Sequence, residues 1–298
     1  MYWVSVVTEA GIFAILALGL DVVWGWAGDF DLAFYGYLAL GSYMTFVLTI
    51  GAYAAYSGQR LFHQNVGAAA LIAAAAGLVA GLAMNAGLIE QFRGRSATTV
   101  FIATLGASLV LQNLIEMIYG SANVSYSFSQ GGLHHVGPFL WTTTDLEVIF
   151  SALAVAGLIY LLLQRTRFGK AVRAVSQDRA LAQVSGIPAR QVVMGTWALA
   201  GAIAGFAGFI LADTIGTFGP QLGFNFLLLT ITATVAGGLG RPYATLGGAL
   251  IVGLVIQISG TYTSSAYQLV FAFLFLVLLM LFRPNGLFVR RSAAEVRA

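Results

Sequence analysis

Long apolar stretches separated by short polar segments run along almost the whole chain. They define nine windows, residues 6–26, 31–50, 66–91, 97–119, 146–163, 191–213, 225–237, 243–259 and 267–282. A spanning helix needs roughly 20 apolar residues and satisfies its own backbone hydrogen bonds. Because the apolar residues do not alternate with polar ones, the pattern excludes a β-barrel. It predicts an all-α integral membrane protein, a polytopic bundle of eight or nine transmembrane or re-entrant helices forming one domain, residues 1–298.

Two glycine-rich interruptions divide apolar stretches in the first and second halves of the chain. One covers residues 24–31, and the other covers 236–242, directly after the short window 225–237. Paired interruptions of this kind indicate broken helices beside a transport route. An ordinary cytoplasmic turn is the alternative. The residues assigned to a translocation path on this basis are Gly28, Asp29, Asp31, Gly237, Gly238 and Gly240.

Ionisable residues inside apolar windows are candidate functional groups, because a charge at membrane depth is costly. The candidates are Asp21, Asp29, Asp31, Glu116 and Asp213. Asp21 is the deepest, whereas Asp29, Asp31 and Asp213 lie near window ends, where a structural role at the interface is the alternative. The polar residues Gln112, Asn113 and Gln257 either line the path or hydrogen-bond between helices.

Glycines at helical spacing predict close helix packing. Gly201, Gly205 and Gly208 follow one another at intervals of about one turn, and residues 68–87 form a second surface of small side chains. Small residues at positions i and i+4 allow two helix backbones to approach in the membrane. We therefore interpret both surfaces as packing surfaces.

Composition and charge agree with a membrane location and suggest an orientation. Of all residues 59% are hydrophobic and 8% are charged, and the mean hydropathy is +0.87. If the C-terminus is cytoplasmic, thirteen of the fourteen Lys and Arg residues lie inside and only Arg60 lies outside. Loops 51–65 and 120–145 then face the outer solvent, and the first apolar run is a retained span. The net charge of +3 reflects this topology and not nucleic-acid binding.

No motif for catalysis or metal binding is evident. The segment Gly169-Lys170 lacks the first glycine and the hydroxyl residue of a phosphate-binding loop. His134 and His135 are adjacent and lack a nearby carboxylate cluster, and the chain has no cysteine. We expect no enzyme activity, no metal and no cofactor bound by this chain, so any energy source must come from a partner.

The largest polar insert, residues 164–190, holds six of the fourteen basic residues. Segments 169–175 and 178–185 both suit short helices. Ser176 or Asp178 is suited to cap the second one, Gly186 to end it, and Pro188 to stop it. Such a helix is typical of a cytoplasmic element that docks in a groove of another protein. A membrane-surface helix on anionic lipid is the alternative.

Four blocks in this order resemble the permeases of branched-chain (hydrophobic) amino acid ABC importers, and more specifically their H-type member. These blocks are residues 18–28, 101–112, 173–187 and 235–248. The third block is similar to the family's cytoplasmic coupling loop. The resemblance assigns coupling to a partner ATPase to Arg173, Ala174, Asp178, Ala182, Gly186 and Ile187.

The resemblance implies a five-part importer in the bacterial cytoplasmic (inner) membrane. Its other members are a second paralogous permease, two cytoplasmic ATP-binding subunits, which use the ATP, and an extracytoplasmic solute-binding protein. Asp21 stands where this family commonly has Asn, and Asp29 and Asp31 replace apolar or small residues. The substrate therefore stays open between branched-chain amino acids and urea or short amides. A stand-alone channel for a small neutral solute is a further alternative.

Overall fold

The computed structural model describes residues 2–27, 34–61, 65–92, 96–126, 132–136, 139–238, 240–262, 267–283 and 286–288. Its helices are α1 Tyr2–Ala27, α2 Phe34–Leu61, α3 Val66–Met84, α4 Ala97–Tyr119, α5 Thr143–Arg165, α6 Arg167–Gln177, α7 Arg179–Val184, α8 Ala189–Ile215, α9 Leu222–Gly237, α10 Pro242–Tyr262 and α11 Gln268–Phe282. A π-helical turn, Asn85–Ile89, continues α3. Gly28, Asp29 and Asp31 lie outside the described residues.

The chain is an all-α membrane protein with several passes. Six described helices, α1, α3, α4, α5, α8 and α10, are long and apolar enough to cross a membrane. Helices α9 and α11 are apolar but shorter, with 16 and 15 residues. The short helix expected at 225–237 is thus confirmed as a helix, while the total of eight or nine membrane elements stays a prediction.

One boundary was predicted wrongly. Helix α2 continues to Leu61, whereas residues 51–65 were expected to be an outer loop. Its last turns pack against the end of α4, where the rings of Tyr53 and Tyr119 lie 4.8 Å apart and the hydroxyls of Ser57 and Tyr119 share a hydrogen bond of 2.5 Å. Tertiary contacts therefore extend a helix that the hydropathy pattern alone ends earlier.

Helices α1 and α8 form the centre of the bundle. Helix α1 packs against α5, α8, α9 and α10, and α8 packs against α1, α2 and α3. The apolar window of α1 is 83% buried inside the protein, whereas that of α4 is only 11% buried. A helix that is apolar on all sides and buried belongs to the core. Helix α4 therefore keeps most of its apolar surface for lipid or a partner subunit.

Glycines allow α2, α3 and α8 to cross closely. A Cβ atom on Gly77 would collide with the carbonyl oxygen of Gly201, and one on Gly205 would collide with that of Ala73. A Cβ atom on Gly51 of α2 would likewise collide with the backbone of Gly205. The interpretation of Gly201, Gly205 and Gly208 as a packing surface is confirmed, since Gly208 also lies against the backbone of Leu48.

Two short strand pairs, which the hydropathy pattern did not predict, lie at the end of the bundle where α4 and α8 end. Strand β1, Val124–Ser125, pairs antiparallel with β4, Thr217–Phe218, and β2, Leu133–Val136, pairs with β3, Phe139–Thr142. Beyond β1, Tyr126 donates a hydrogen bond to the Ala52 carbonyl at 2.9 Å. Burial and the nearby Asp213 carboxylate raise the pKa of Tyr126, so the phenol stays a donor. This part of loop 120–145 is therefore packed into the bundle and does not simply face solvent.

Candidate functional site

The connection between α5 and α8 is built from two short helices. Helix α6 begins after Thr166, whose side chain accepts a hydrogen bond from the Gly169 N–H at 3.0 Å. Gly169, Val172 and Val175 are its buried residues, and they face α1, α5 and α8. A Cβ atom at Gly169 would collide with the last turns of α5. The connection is thus a packed part of the fold and not a loose tether.

Helix α7 has the caps that the sequence predicted. Of the two proposed N-caps, Asp178 is the residue used, and its Oδ1 accepts from the Leu181 N–H at 2.9 Å. At the other end Gly186 has φ +82°, the Gly186 N–H donates to Gln183, and the Ile187 N–H donates to Ala182. This pattern is a Schellman motif, which requires a left-handed residue and favours glycine. Both capping predictions are confirmed.

The six residues assigned to coupling do not share one surface. Arg173, Asp178 and Gly186 are exposed, Ala174 and Ile187 are half-buried, and Ala182 is buried. The apolar side chains that α7 presents to solvent are instead Leu181, 64% exposed, and Val184, 86% exposed. Ala182, which the resemblance assigned to coupling, is instead turned inward. Any direct docking through α7 therefore involves Leu181 and Val184.

An ion pair ties the end of this connection to α3. The Arg190 guanidinium contacts the Glu90 carboxylate with two of its three nitrogens, Nε at 2.6 Å and Nη2 at 3.0 Å. Two parallel contacts of this kind fix the relative orientation of both side chains. The pair links the first turn of α8 to the residue that follows the π-helical turn, and so holds α7 near the end of α3.

At the same end of the bundle, Asp21 holds the turn between α9 and α10. Asp21 is completely buried, and its Oδ1 accepts a hydrogen bond from the Gly240 N–H at 2.6 Å. A carboxylate at this place also interacts favourably with the N-terminal dipole of α10, which begins at Pro242. Asp21 thus links α1 to the turn between α9 and α10, which is distant in sequence.

Glycine is required at the positions of this turn for two different structural reasons. Gly238 and Gly240 have φ values of +105° and +74°, which L side chains rarely adopt. A Cβ atom at Gly237 would collide with the backbone of α10 at Ala244 and Thr245. The Leu287 N–H donates to the Ala236 carbonyl at 3.0 Å, so a segment after α11 also covers the turn. The structure therefore shows a tightly packed turn here, and a role of these residues in translocation stays a prediction.

Replacing Asp21 with leucine should destabilise this turn, because the partly buried Gly240 N–H would lose its acceptor. We expect a loss of about 1–3 kcal/mol in the free energy of unfolding. The Asp21→Asn variant is the matched control, since its side-chain oxygen accepts the same hydrogen bond. Thermal unfolding in detergent measures both, together with amide exchange at Gly240. An equal loss in both variants would show that the charge, and not this hydrogen bond, stabilises the turn.

Gln112 and Asn113 do not reach this turn. Both lie on α4, where Asn113 is exposed and donates to the Leu109 carbonyl of its own helix at 2.7 Å. Gln112 borders a small cavity between α2, α4 and the start of α9, together with Thr45, Thr49 and Ser108. The structure therefore separates the two residues, although both were assigned to the same translocation path.

A larger cavity lies at the opposite end of the bundle, where α8 ends and α9 and α11 begin. It has a volume of about 350 Å³, and helices α1, α8, α9, α10 and α11 contribute its walls. Glu9 of α1 lines it, and Gln257 of α10 donates to the Glu9 carboxylate at 3.0 Å. Sequence reasoning missed Glu9, although it lies within window 6–26 and the rule that selected Asp21 applies to it.

The bundle of apolar helices, its buried carboxylates and its cavity are features of a polytopic membrane transport protein. Residues 2–281 match the family described as the permease component of branched-chain amino acid transport systems. The chain belongs to this family of permeases.

Individual relatives agree over nearly the whole chain. The high-affinity branched-chain amino acid transport system permease protein LivH of Escherichia coli (strain K12) is 27% identical over 297 residues, 97% of this chain and 95% of LivH. BraD of Pseudomonas aeruginosa, a permease protein of the same description, is 27% identical, covering 98% of this chain and 96% of BraD. LivM of E. coli K12 is 28% identical over 95% of this chain and 69% of LivM.

Proposed function

We propose that this chain is one permease subunit of an ATP-binding cassette importer that carries branched-chain or other hydrophobic amino acids inward. The observation that carries the proposal is the family match over residues 2–281. The relatives LivH and BraD are named as permeases of high-affinity branched-chain amino acid transport systems. The chain would supply the membrane path, and partner subunits would supply the energy.

The proposed assembly contains a second permease, two cytoplasmic ATP-binding subunits and an extracytoplasmic solute-binding protein. Similarity to LivM supports a related chain as the second permease. The exposure of α4 is consistent with a partner subunit on its outer side, because its apolar window is only 11% buried within this chain. The proposed location is the bacterial cytoplasmic (inner) membrane with a cytoplasmic C-terminus, and ATP is bound by the partners and not by this chain.

The connection 164–190 is the proposed coupling element. Helix α6 is packed against α1, α5 and α8, and α7 ends in a Schellman motif. A push on the exposed Leu181 and Val184 would therefore be passed to α1 and α8, the two central helices. In this role Arg173, Ala174, Asp178, Ala182, Gly186 and Ile187 shape and orient the docking surface, since only some of them are exposed.

Uptake into proteoliposomes tests the function. The complete complex should take up radiolabelled leucine only when two conditions hold. ATP must be enclosed in the lumen, on the cytoplasmic side of the permease, and the solute-binding protein must be present outside. Radiolabelled urea, measured in parallel, should not accumulate. Uptake by this chain alone, without ATP, would show a channel. ATP-dependent uptake of urea and not of leucine would show the same kind of machine with another substrate.

A further inference from the structure

A row of cations lies at the end of α5 and along the exposed side of α6. They are Arg165, the last residue of α5, and Arg167, Lys170 and Arg173, which lie three residues apart on α6. All four side chains are exposed, whereas the apolar residues of α6 face the bundle. Within the described part of the chain, none of the four has a carboxylate partner. Their positive charge is therefore available to a ligand.

One of these cations reaches back to the membrane-spanning helix. The Arg173 Nη1 donates to the Gln164 Oε1 at 3.3 Å, and Gln164 belongs to the last turn of α5. The apolar helix that is long enough to cross the membrane ends at Arg165. Arg165 and Arg173 therefore both lie at the level where α5 leaves the membrane.

A pair of tyrosines indicates the same boundary independently. The rings of Tyr160 on α5 and Tyr243 on α10 lie 5.9 Å apart, and both side chains are exposed. Tyrosine is enriched where the apolar core of a membrane meets the headgroups. Tyr160 lies one helical turn before Gln164, so the cations lie just beyond the two rings, at the depth of the lipid phosphates.

On the membrane side of the cations, α5 has an exposed apolar surface with a notch. Leu153, Gly157 and Leu161 are exposed and lie four residues apart, on one side of the helix. A Cβ atom on Gly157 would meet nothing within 4 Å, so this glycine leaves a notch between the two leucines. Arg165 follows four residues later on the same side. An apolar surface inside the membrane thus ends at exposed positive charge.

From this arrangement we propose that the end of α5 binds an anionic phospholipid from the leaflet on the side of the connection 164–190. The phosphate binds Arg165 and Arg173, with Lys170 as a further cation, and one acyl chain lies in the notch at Gly157. Arginine binds phosphate oxygens through two parallel N–H groups, and basic residues at a membrane surface attract anionic lipids. This inference goes beyond the proposed import function and does not rest on it.

The alternative occupant of these cations is an ATP-binding subunit. A cytoplasmic protein could contact the exposed side of α6, but it cannot reach Leu153 or Gly157, which lie inside the membrane-crossing helix Thr143–Arg165. A zwitterionic lipid would reach the notch but would leave the cations without a net negative partner. Only an occupant with apolar chains and an anionic headgroup matches the apolar and the basic part of this surface together.

The test is lipid binding to the full-length chain purified in detergent, measured by native mass spectrometry. Phosphatidylglycerol should bind at least about fivefold more tightly than phosphatidylcholine with the same acyl chains. Arg165→Gln and Arg173→Gln should each lower the affinity for phosphatidylglycerol by about fivefold. Arg190→Gln is the matched control, because Arg190 belongs to the same connection but is already paired with Glu90. Its affinity for phosphatidylglycerol should be unchanged.

A further variant tests the acyl-chain part of the site without removing a charge. Gly157→Trp fills the notch from an exposed position with no neighbour within 4 Å, so the fold should tolerate it. The affinity for phosphatidylglycerol should fall by about threefold, since a few methylene groups lose their contact. Glycerol 3-phosphate, which has the phosphate but no acyl chains, should not displace the bound lipid.

Several outcomes would overturn the site. Equal binding of the two lipids, or unchanged affinity in the arginine and Gly157→Trp variants, would show that α5 has no site for an anionic lipid. Displacement by glycerol 3-phosphate would show a site for a soluble phosphate instead. Loss of the bound lipid on addition of the ATP-binding subunits would assign the cations to those subunits. Because none of these measurements involves leucine uptake, failure of the lipid site leaves the proposed function untouched.

Discussion

Replacing Val184 with aspartate should abolish most ATP-driven uptake without unfolding the permease. Val184 is 86% exposed on α7, so the change removes no core contact. If Val184 inserts into an ATP-binding subunit, aspartate at this position replaces an apolar contact by a buried charge. The binding free energy should then fall by about 2 kcal/mol or more, as at an interface hot spot. We expect at least a tenfold loss of leucine uptake and weaker co-purification of the ATP-binding subunits.

Gln183→Asp is the matched control for this experiment. Gln183 is exposed on the neighbouring position of the same short helix, so the variant adds the same charge at the same helix end. Any cost from the helix dipole is then equal in both proteins. Normal uptake by Val184→Asp would contradict docking through α7. Ala182 is a poor choice for this test, because it is buried and a large residue there would disturb the fold.

Replacing Gly205 with alanine should destabilise the whole bundle, although alanine is the better helix former. A Cβ atom at Gly205 collides with the Ala73 carbonyl oxygen and lies 2.8 Å from the Gly77 Cα. Backbone atoms cannot move aside as a side chain can, so α3 and α8 must separate. We expect a loss of about 1–3 kcal/mol in the free energy of unfolding. Gly205→Leu should give no monodisperse protein in detergent.

Gly157→Ala is the control, because Gly157 lies within α5 and a Cβ atom there meets nothing within 4 Å. Helix propensity alone favours alanine over glycine by about 1 kcal/mol. Gly157→Ala should therefore unfold at the same temperature as the unmodified protein or at a higher one, whereas Gly205→Ala should unfold at a lower temperature. The close crossing would be refuted if the two alanine variants behaved alike.

Several features of the fold could be predicted because they depend on residues that are close in sequence. The windows 97–119 and 267–282 agree with α4 and α11 to within one residue. The number of consecutive apolar residues determines these helices, because a segment inside the membrane must form its own backbone hydrogen bonds. The caps Asp178 and Gly186 were predictable for the same reason, because capping involves residues three to five positions apart. The family resemblance was likewise carried by local blocks, and the match over residues 2–281 confirmed it.

The parts of the site that were missed depend on residues far apart in the chain. Asp21 accepts from Gly240, 219 positions away, and the pattern around either residue does not contain this partner. In the same way, Ala182 and Val184 are both apolar in the sequence, but the packing of α7 buries the first and exposes the second. Glu9 lies within an apolar window and was overlooked there, and only the structure shows that it lines a cavity and accepts a hydrogen bond from Gln257.

The sequence by itself therefore determined the class of protein, most helices, the caps of the connection between α5 and α8, and the family. Each of these follows from hydropathy over about 20 residues or from short motifs. Only the tertiary structure decided that the Asp21 carboxylate is buried at a turn and that the Glu9 carboxylate lines a cavity. It also decided which side chains of α7 are exposed. Those properties arise from helix packing, where glycines at Gly77, Gly201 and Gly205 set how closely the backbones approach.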